Sequence, residues 1–430
     1  NCMQSDVVVI RSSSVDVLTQ VLLNLIIKRP RKKIKNEITV EQIRLFQQEF
    51  QCSQQTIPNT SEEWEQTVFI DSNFYGWNGK TTERKIYEPL TPEEHADREN
   101  LYSATLEYEE YKKLCEKYKI DDNKETYECR RLLYSKFSDT EYWRTVITGW
   151  SHEGREGADS PDYSTFFQLC FAHFPQMKQA IEPLLLELCQ QEDHIEPQSL
   201  ASEITAGMMR GAKHWPYEKI NEMRQSTLPL LEKSLSCPHF RCWRDVIYFT
   251  VSAMDYRRVH WIYEYFYRKS LCVLHQQTQS LQVTHIFEYL LAIFSCLSWR
   301  AAGLGAELFQ KVLTHQYLYE APMLVRVSIG EVLQVIVTFM YSGIRNERSI
   351  PVVAPVSADC NLQDSYGEVG ILLNNIADDI LYKKLSKLQP TLEEEALRRQ
   401  NRYVHCILLM LLPNVENYLR RSIPLVFPLF

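Results

Sequence analysis

Glycine is scarce in this sequence of 430 residues. It occurs 13 times, whereas an average share of about 7% would give roughly 30. Phosphate-binding loops and turn-dense β folds both depend on glycine, so its scarcity disfavours both classes. The chain also contains no nucleophile elbow, HExxH helix, Walker loop or dinucleotide fingerprint. We therefore expect that the protein is not an enzyme.

Paired cysteine spacing is missing as well. The 12 cysteines are scattered, and several lie inside apolar runs, such as Leu169-Cys170-Phe171. This distribution favours buried thiols in a reducing compartment over a disulfide framework. Cys237, His239 and Cys242 place ligand-type side chains close together, but no obvious fourth ligand follows. We therefore predict no metal site.

Long apolar runs and a strong basic charge are also lacking. The stretches 286–299 and 407–413 are shorter than the roughly 20 residues that a membrane span needs, and residues 1–14 do not resemble a secretory leader. The 55 acidic and 47 basic residues give a net charge of −8, which is unfavourable for general nucleic-acid binding. We expect neither a membrane nor a nucleic acid as a direct partner.

The sequence does contain segments in which apolar residues recur at helical spacing, and these segments come in pairs. Two similar tetrapeptides, Glu182-Pro183-Leu184-Leu185 and Leu228-Pro229-Leu230-Leu231, lie 46 residues apart, and repeats of about 40–47 residues built from helix pairs are typical of HEAT arrays. We predict an all-α, HEAT/armadillo-like α-solenoid in which neighbouring pairs bury each other's apolar faces. The predicted pairs are 161–191, 199–236, 240–270, 281–315 and 322–343, then 364–387 and 392–421.

Before residue 139 the amino-acid composition changes from one segment to the next. Residues 56–92 are rich in aromatics and carry the turn signal Trp77-Asn78-Gly79, which predicts a small hairpin or loop insertion. The charged stretch that follows predicts a solvated helix or a flexible insertion. The predicted segments are 1–55 (helical repeat segment with a basic loop), 56–92 (aromatic hairpin or linker), 93–138 (charged helical insertion), 139–343 (HEAT-like repeats), 344–365 (surface loop) and 366–430 (HEAT-like helices with a truncated end).

The segment SEITAGMMRGAKHWPYEK, residues 202–219, predicts a corner between two helices. Gly207 and Gly211 lie on the apolar face of the first helix, where each costs up to about 1 kcal/mol relative to alanine. A second backbone that approaches this face closely would explain both. Gly211 also fits a C-terminal cap, and Pro216 suits the first turn of the next helix.

Several stretches, taken together, carry a family resemblance. In and after the corner these are ASEITAGMMRGAKHWPYEK (201–219), DYRRVHWIYEYF (255–266), LSWRAAGLGAELFQKVL (297–313) and APMLVRVSIGEVLQVIVTFMY (321–341), and upstream DSNFYGWNGKTTERKIYEP (71–89) and YSKFSDTEYWRTVITGW (134–150). They resemble the large HEAT-repeat proteasome activator family in the same order and spacing over most of residues 70–343. None is a catalytic signature, so the specificity of the resemblance comes from this colinearity.

The resemblance implies a non-catalytic cap on the proteasome core particle that promotes degradation without ATP or ubiquitin. It also implies action in the nucleus and cytoplasm, with roles in acetylated-histone turnover and DNA repair. The resemblance implies a middle-to-late region of the family, in a fragment or a divergent member. Neither the family's aromatic-Tyr-small tail nor its bromodomain-like module is found in these residues. We therefore expect acetylated histones to be bound through regions outside these residues. The alternative is a HEAT-repeat scaffold or nuclear-transport adaptor without proteasome contact.

Two basic clusters are candidate sites. KRPRKKIK predicts a nuclear-localisation patch, or else a solvated loop between helices; its members are Lys28, Arg29, Arg31, Lys32, Lys33 and Lys35. The family's dome has basic openings that hold inositol phosphates, which implies a possible inositol hexakisphosphate or polyanion site here, although no cofactor is required; its candidate residues are Arg210, Lys213, His214, Arg257 and Arg258. Helix capping and surface ion pairs are the alternative explanation of this second cluster.

The corner and the later stretch 255–266 are rich in large aromatic side chains. For most of this set we predict packing in the core, because large aromatics dominate the interfaces between repeats. Its members are Trp215, Tyr217, Trp261, Tyr263 and Tyr265.

Overall fold

The computed structural model describes the helical parts of the chain. These are residues 2–5, 7–25, 57–67, 69–70, 86–87, 90–152, 162–252, 254–274 and 280–297, with a few positions between 308 and 332. The basic patch at 28–35, the surface loop at 344–365 and the helices predicted at 364–387 and 392–421 lie outside these residues.

The described residues confirm the predicted fold class of helix pairs. In chain order the helices are α1 (Val8–Asn24), α2 (Ser61–Gln66), α3 (Pro92–Ser103), α4 (Tyr108–Tyr118), α5 (Lys124–Phe137), α6 (Thr140–Trp150), α7 (Tyr163–His173), α8 (Met177–Cys189), α9 (Ile195–Gly211), α10 (Tyr217–Ser234), α11 (Phe240–Val251), α12 (Tyr256–Leu274) and α13 (Ser280–Leu297). Short 3-10 helices span Cys2–Gln4 and Ala212–His214. Within these ranges no helix is both long and apolar enough to cross a bilayer.

Several helices begin at side chains that the sequence marks as caps. Thr91 accepts a hydrogen bond from the backbone N–H of Glu94, whose side chain in turn accepts one from the backbone N–H of Thr91. Asn123 caps α5 and Asp139 caps α6 in a similar way through their side-chain oxygens. Each of these contacts satisfies a backbone donor that the first turn of a helix leaves unpaired.

The charged stretch after residue 92 folds into three packed helices, α3 to α5, with a core of their own. The core members are Leu101, Ala104, Tyr111, Cys115 and Tyr127. The sequence predicted instead a solvated helix or a flexible insertion. Tyrosines supply much of this core, and they stand among many charged residues, so the stretch does not look like a core-forming segment. The tyrosine rings are buried while their hydroxyl groups reach polar partners. Tyr127, for example, donates its hydroxyl to the Leu106 carbonyl at 2.8 Å.

The aromatic segment contains two short antiparallel strands, β1 (Phe69–Ile70) and β2 (Ile86–Tyr87). They pair Phe69 with Tyr87 and Ile70 with Ile86. The predicted turn at Trp77-Asn78-Gly79 lies outside the described residues. Phe69 is buried against Trp64 of α2, with ring centroids 4.6 Å apart, and the segment is anchored there.

The chain divides into two compact units. The first comprises Asn1–Lys32, Pro58–Asp71 and Lys85–Thr250 and contains α1 to α10 with nearly all of α11. The second includes the chain from Val251 onward and contains α12 and α13. In the second unit, α12 packs on α13 through Phe266 and Tyr289, whose ring centroids lie 4.6 Å apart.

Candidate functional site

The corner around Trp215 rests on a close approach of α9 to α7. A Cβ atom added at Gly207 would lie 2.5 Å from the Phe167 Cβ and 2.8 Å from the Gln168 backbone nitrogen. At Gly211 it would lie 2.7 Å from the Gln168 carbonyl oxygen. All three distances are shorter than the contacts that real Cβ atoms make, so only glycine fits at these two positions. The predicted close backbone approach is confirmed.

The predicted capping role of Gly211 is wrong. Its backbone has φ −67° and ψ −36°, which is ordinary right-handed helix, and the helix continues as the 3-10 turn Ala212–His214. The chain therefore needs glycine here for packing, and the left-handed conformation of a glycine cap does not occur. Pro216 comes directly before α10, with φ −56° and ψ 148°, one position earlier than predicted.

Trp215 packs in the interior of the corner. Its side chain is buried, and its indole Nε1 donates to the carbonyl of Phe171 at the end of α7 at 2.9 Å. The neighbouring Tyr217 is half-buried and packs against Trp64 of α2, with ring centroids 5.4 Å apart. Of the other aromatic side chains predicted to pack, Tyr263 is buried, while Trp261 and Tyr265 are half-buried.

Arg210 acts as a contact between helices. Its Nη1 donates to the carbonyl of Phe249 at 3.1 Å, and its guanidinium lies 4.5 Å from the centre of the Phe249 ring. Phe249 is in the last turn of α11, where carbonyl groups lack helical partners and positive charge is favoured. Lys213 and His214 lie half-buried in the 3-10 turn after α9.

Arg257 and Arg258 begin α12 in the second unit. Arg257 Nη2 forms an ion pair with Asp255 Oδ2 at 2.9 Å, and the Asp255 side chain also accepts the backbone N–H of Arg257 at 2.9 Å. Asp255 is fully buried and Arg258 is 7% exposed. The charge of Arg257 is therefore already balanced locally. Of the five predicted residues, three therefore belong to the first compact unit and two to the second.

The cluster of Cys237, His239 and Cys242 is engaged in ordinary packing contacts. Cys237 Sγ donates to the side-chain oxygen of Gln198 at 3.5 Å, and His239 Nε2 lies 3.3 Å from the Asp193 carbonyl. Burial raises the pKa of both thiols above the usual range, which disfavours the thiolate that binds metals. No group of three ligand-type side chains suited to a metal occurs in the described ranges.

Comparison with known proteins then decides the family. Residues 1–285 match a family described as proteasome activator complex subunit 4-like, HEAT repeat-like. The chain belongs to this family.

Relatives in the family are similar at low identity. The chain is 26% identical to human proteasome activator complex subunit 4 over 221 residues, which is 49% of the chain and 10% of the human protein. It is 25% identical to the zebrafish (Danio rerio) subunit 4A over 285 residues, which is 60% of the chain and 14% of that protein. The chain thus spans roughly a tenth to a seventh of the curated relatives that it matches.

In this HEAT-repeat family member, one buried polar residue ties three helices together, and the sequence analysis missed it. Gln198 of α9 donates through Nε2 to the carbonyls of Leu188 and Gln191 at 3.3 and 3.2 Å, at the end of α8. Its Oε1 accepts the indole N–H of Trp243 of α11 at 3.0 Å. A glutamine within HIEPQSLAS gives no local signal of this role, because its partners lie in other helices.

Proposed function

We propose that the chain is a non-catalytic segment of a proteasome activator that binds the proteasome core particle and promotes degradation of peptides and proteins without ATP or ubiquitin. The observation that carries the proposal is the family match over residues 1–285, together with relatives named as proteasome activator complex subunits. The segment would act by shape, as part of a wall at the entrance of the core particle.

The contacts around the Trp215 corner suit such a wall. Close packing of α9 on α7 leaves no room for movement at Gly207. The contact of Arg210 with Phe249 joins α9 to α11, and the contact of Trp215 with Phe171 joins the corner to α7. A stack of helices held in this way keeps a defined surface, and a docking and guiding role requires such a surface rather than catalytic groups.

Co-sedimentation tests the proposed binding. The protein carrying this chain is mixed with purified core particle and run on a density gradient, and we expect it to move with the core particle fractions. A variant with Gly207→Leu, which cannot keep the α7–α9 packing, is expected to lose most of this binding, whereas Gly149→Ala is expected to keep it. Sedimentation of the wild type apart from the core particle would favour the scaffold or adaptor function instead.

A polyanion site at the corner is a further part of the proposal. Lys213 and His214, beside Arg210, are candidates for binding inositol hexakisphosphate through charge-assisted hydrogen bonds. Because Arg210 also holds α9 on α11, the sharper test leaves it intact. We expect titration calorimetry to show binding by the wild type and by the exposed-surface control Lys112→Ala, and weaker binding by Lys213→Ala/His214→Ala. Equal heats for all three proteins would contradict the site.

We further propose action in both nucleus and cytoplasm, with roles in acetylated-histone turnover and DNA repair. The support is the family resemblance and the basic patch at residues 28–35, while histone contact would come from regions outside these residues. A fluorescent fusion in which Lys32 and Lys33 are changed to alanine is expected to lose nuclear accumulation. Unchanged nuclear signal would contradict the import role of the patch.

A further inference from the structure

An enclosed polar cluster lies where α3, α5 and α7 meet, away from the Trp215 corner. Its members are Tyr102, Arg130 and His173, which are 3%, 1% and 2% exposed. The Tyr102 ring lies 4.5 Å from the His173 ring and 5.4 Å from the Arg130 guanidinium, measured between centres. Three separate helices therefore bring ionisable groups together out of contact with solvent.

The hydrogen bonds of this cluster are incomplete. Arg130 Nε donates to Asp122 Oδ2 at 2.9 Å, and the same oxygen accepts the Tyr111 hydroxyl at 2.5 Å. Arg130 Nη1 and both ring nitrogens of His173 are buried and have no hydrogen-bond partner among the described residues. Each such atom destabilises the folded state if nothing satisfies it, and native proteins rarely leave buried polar atoms without a partner.

The charge around these atoms is positive. Arg98 of α3 places its guanidinium 5.2 Å from the centre of the same Tyr102 ring and donates to the Ala172 carbonyl at 3.4 Å. The charged groups that face His173 are thus Arg98 from α3 and Arg130 from α5. The nearby Asp122 carboxylate is already bound to Arg130 and Tyr111. Burial, and then the two guanidiniums, hold the pKa of His173 well below its usual value.

We propose that this junction is a binding site for one small monovalent anion, of the size of chloride. The anion accepts hydrogen bonds from Arg130 Nη1 and from a ring N–H of His173, and so satisfies donors that no protein group reaches. A small anion fits the surroundings better than a neutral molecule because it also offsets the positive charge that Arg98 adds beside the Arg130–Asp122 ion pair. The site would join the three-helix insertion to the repeat helices.

Anion binding and protonation of His173 favour each other. A bound anion stabilises the imidazolium, and the imidazolium offers a second N–H donor together with a positive charge. The anion therefore binds more tightly as the pH falls. A water molecule at the same place would show neither dependence on the kind of anion nor this link to pH.

Thermal unfolding in matched salts tests the site. The purified chain is heated in 150 mM sodium chloride and in 150 mM sodium gluconate, at pH 7.5 and at pH 6.0. We expect a Tm about 2–4 °C higher in chloride at pH 7.5, with a larger difference at pH 6.0. Equal Tm values in the two salts at both pH values would overturn the proposal.

Two variants and one direct observation complete the test. His173→Phe keeps a ring of similar size and is expected to fold but to lose the chloride effect, whereas Arg144→Met, at an exposed ion pair with Glu187, is expected to keep it. In crystals grown with bromide, we expect anomalous density beside Arg130 Nη1. A peak without anomalous signal at that position would identify water and overturn the proposal. None of these outcomes depends on proteasome binding.

Discussion

At the scale of single residues, the packing of the corner depends on two glycines, which have no Cβ atom. Gly207 and Gly211 let the backbone of α9 come into contact with the backbone of α7, and the nearest atoms around Gly207 include main-chain nitrogen and carbon of Gln168 and Phe167. Main-chain atoms cannot rotate away as the end of a flexible side chain can. The sequence predicted this approach because two glycines inside an apolar helical face need a reason.

Replacement of Gly207 by alanine is expected to destabilise the protein. The new methyl group would sit 2.5 Å from the Phe167 Cβ, and overpacking of this kind costs about 1–3 kcal/mol. Gly149→Ala in α6 is the matched control, because nothing lies within 4 Å of its added Cβ and the gain in helix propensity stabilises by up to about 1 kcal/mol. Urea unfolding should give opposite signs for the two variants; a neutral Gly207→Ala would contradict the close packing.

Acid is expected to destabilise the first unit through two histidines. Burial lowers the pKa of His173 well below 6.5, and burial together with Arg98 lowers the pKa of His95 to about 4. Below pH 6.5 the unfolded chain therefore binds protons that the folded chain does not, and the free energy of unfolding falls as the pH falls. Each histidine contributes up to about 1.4 kcal/mol per pH unit in that window.

Urea titrations in gluconate buffer at pH 7.5, 6.0 and 5.0 measure this dependence. In the variant His173→Phe we expect a shallower loss of stability below pH 6.5 than in the wild type, with the contribution of His95 remaining. Parallel pH profiles for the two proteins would show that His173 does not take part.

At the scale of helices, the ends of the elements decide how repeats connect. The end of α8 is covered by Gln198 and also by Lys233 of α10, whose Nζ donates to the Cys189 carbonyl at 3.0 Å. Carbonyls at a buried helix end need such partners because water cannot reach them. The predicted pairs 161–191 and 199–236 correspond closely to α7–α8 and α9–α10, since apolar spacing marks helices well.

Gln198→Leu is expected to destabilise the protein by about 2–3 kcal/mol. It leaves the indole N–H of Trp243 without its acceptor, and an unsatisfied buried donor costs about 1–3 kcal/mol. It also removes the side-chain hydrogen bonds to the carbonyls of Leu188 and Gln191, which keep only their backbone donors. The control is Gln190→Leu, at an exposed position. Chemical unfolding followed by tryptophan fluorescence measures both, and equal stability of the two variants would contradict the bridging role of Gln198.

At the scale of the whole molecule, the sequence predicted the class of fold and the family, but the details of the candidate site required the structure. Periodicity and colinear motifs are properties of the chain itself, so they can be recognised without coordinates. The contacts of Arg210 with Phe249 and of His173 with Tyr102 join residues far apart in the sequence. No local pattern encodes such pairs, and the tyrosine core of α3 to α5 was hidden for the same reason.

Hydrolysis of a fluorogenic peptide by purified core particle, with and without the protein carrying this chain, tests the proposed function most directly. We predict stimulation that needs neither ATP nor ubiquitin, that saturates with added protein, and that Gly207→Leu reduces while Gly149→Ala does not. The same rate of hydrolysis with and without the wild-type protein would contradict the account.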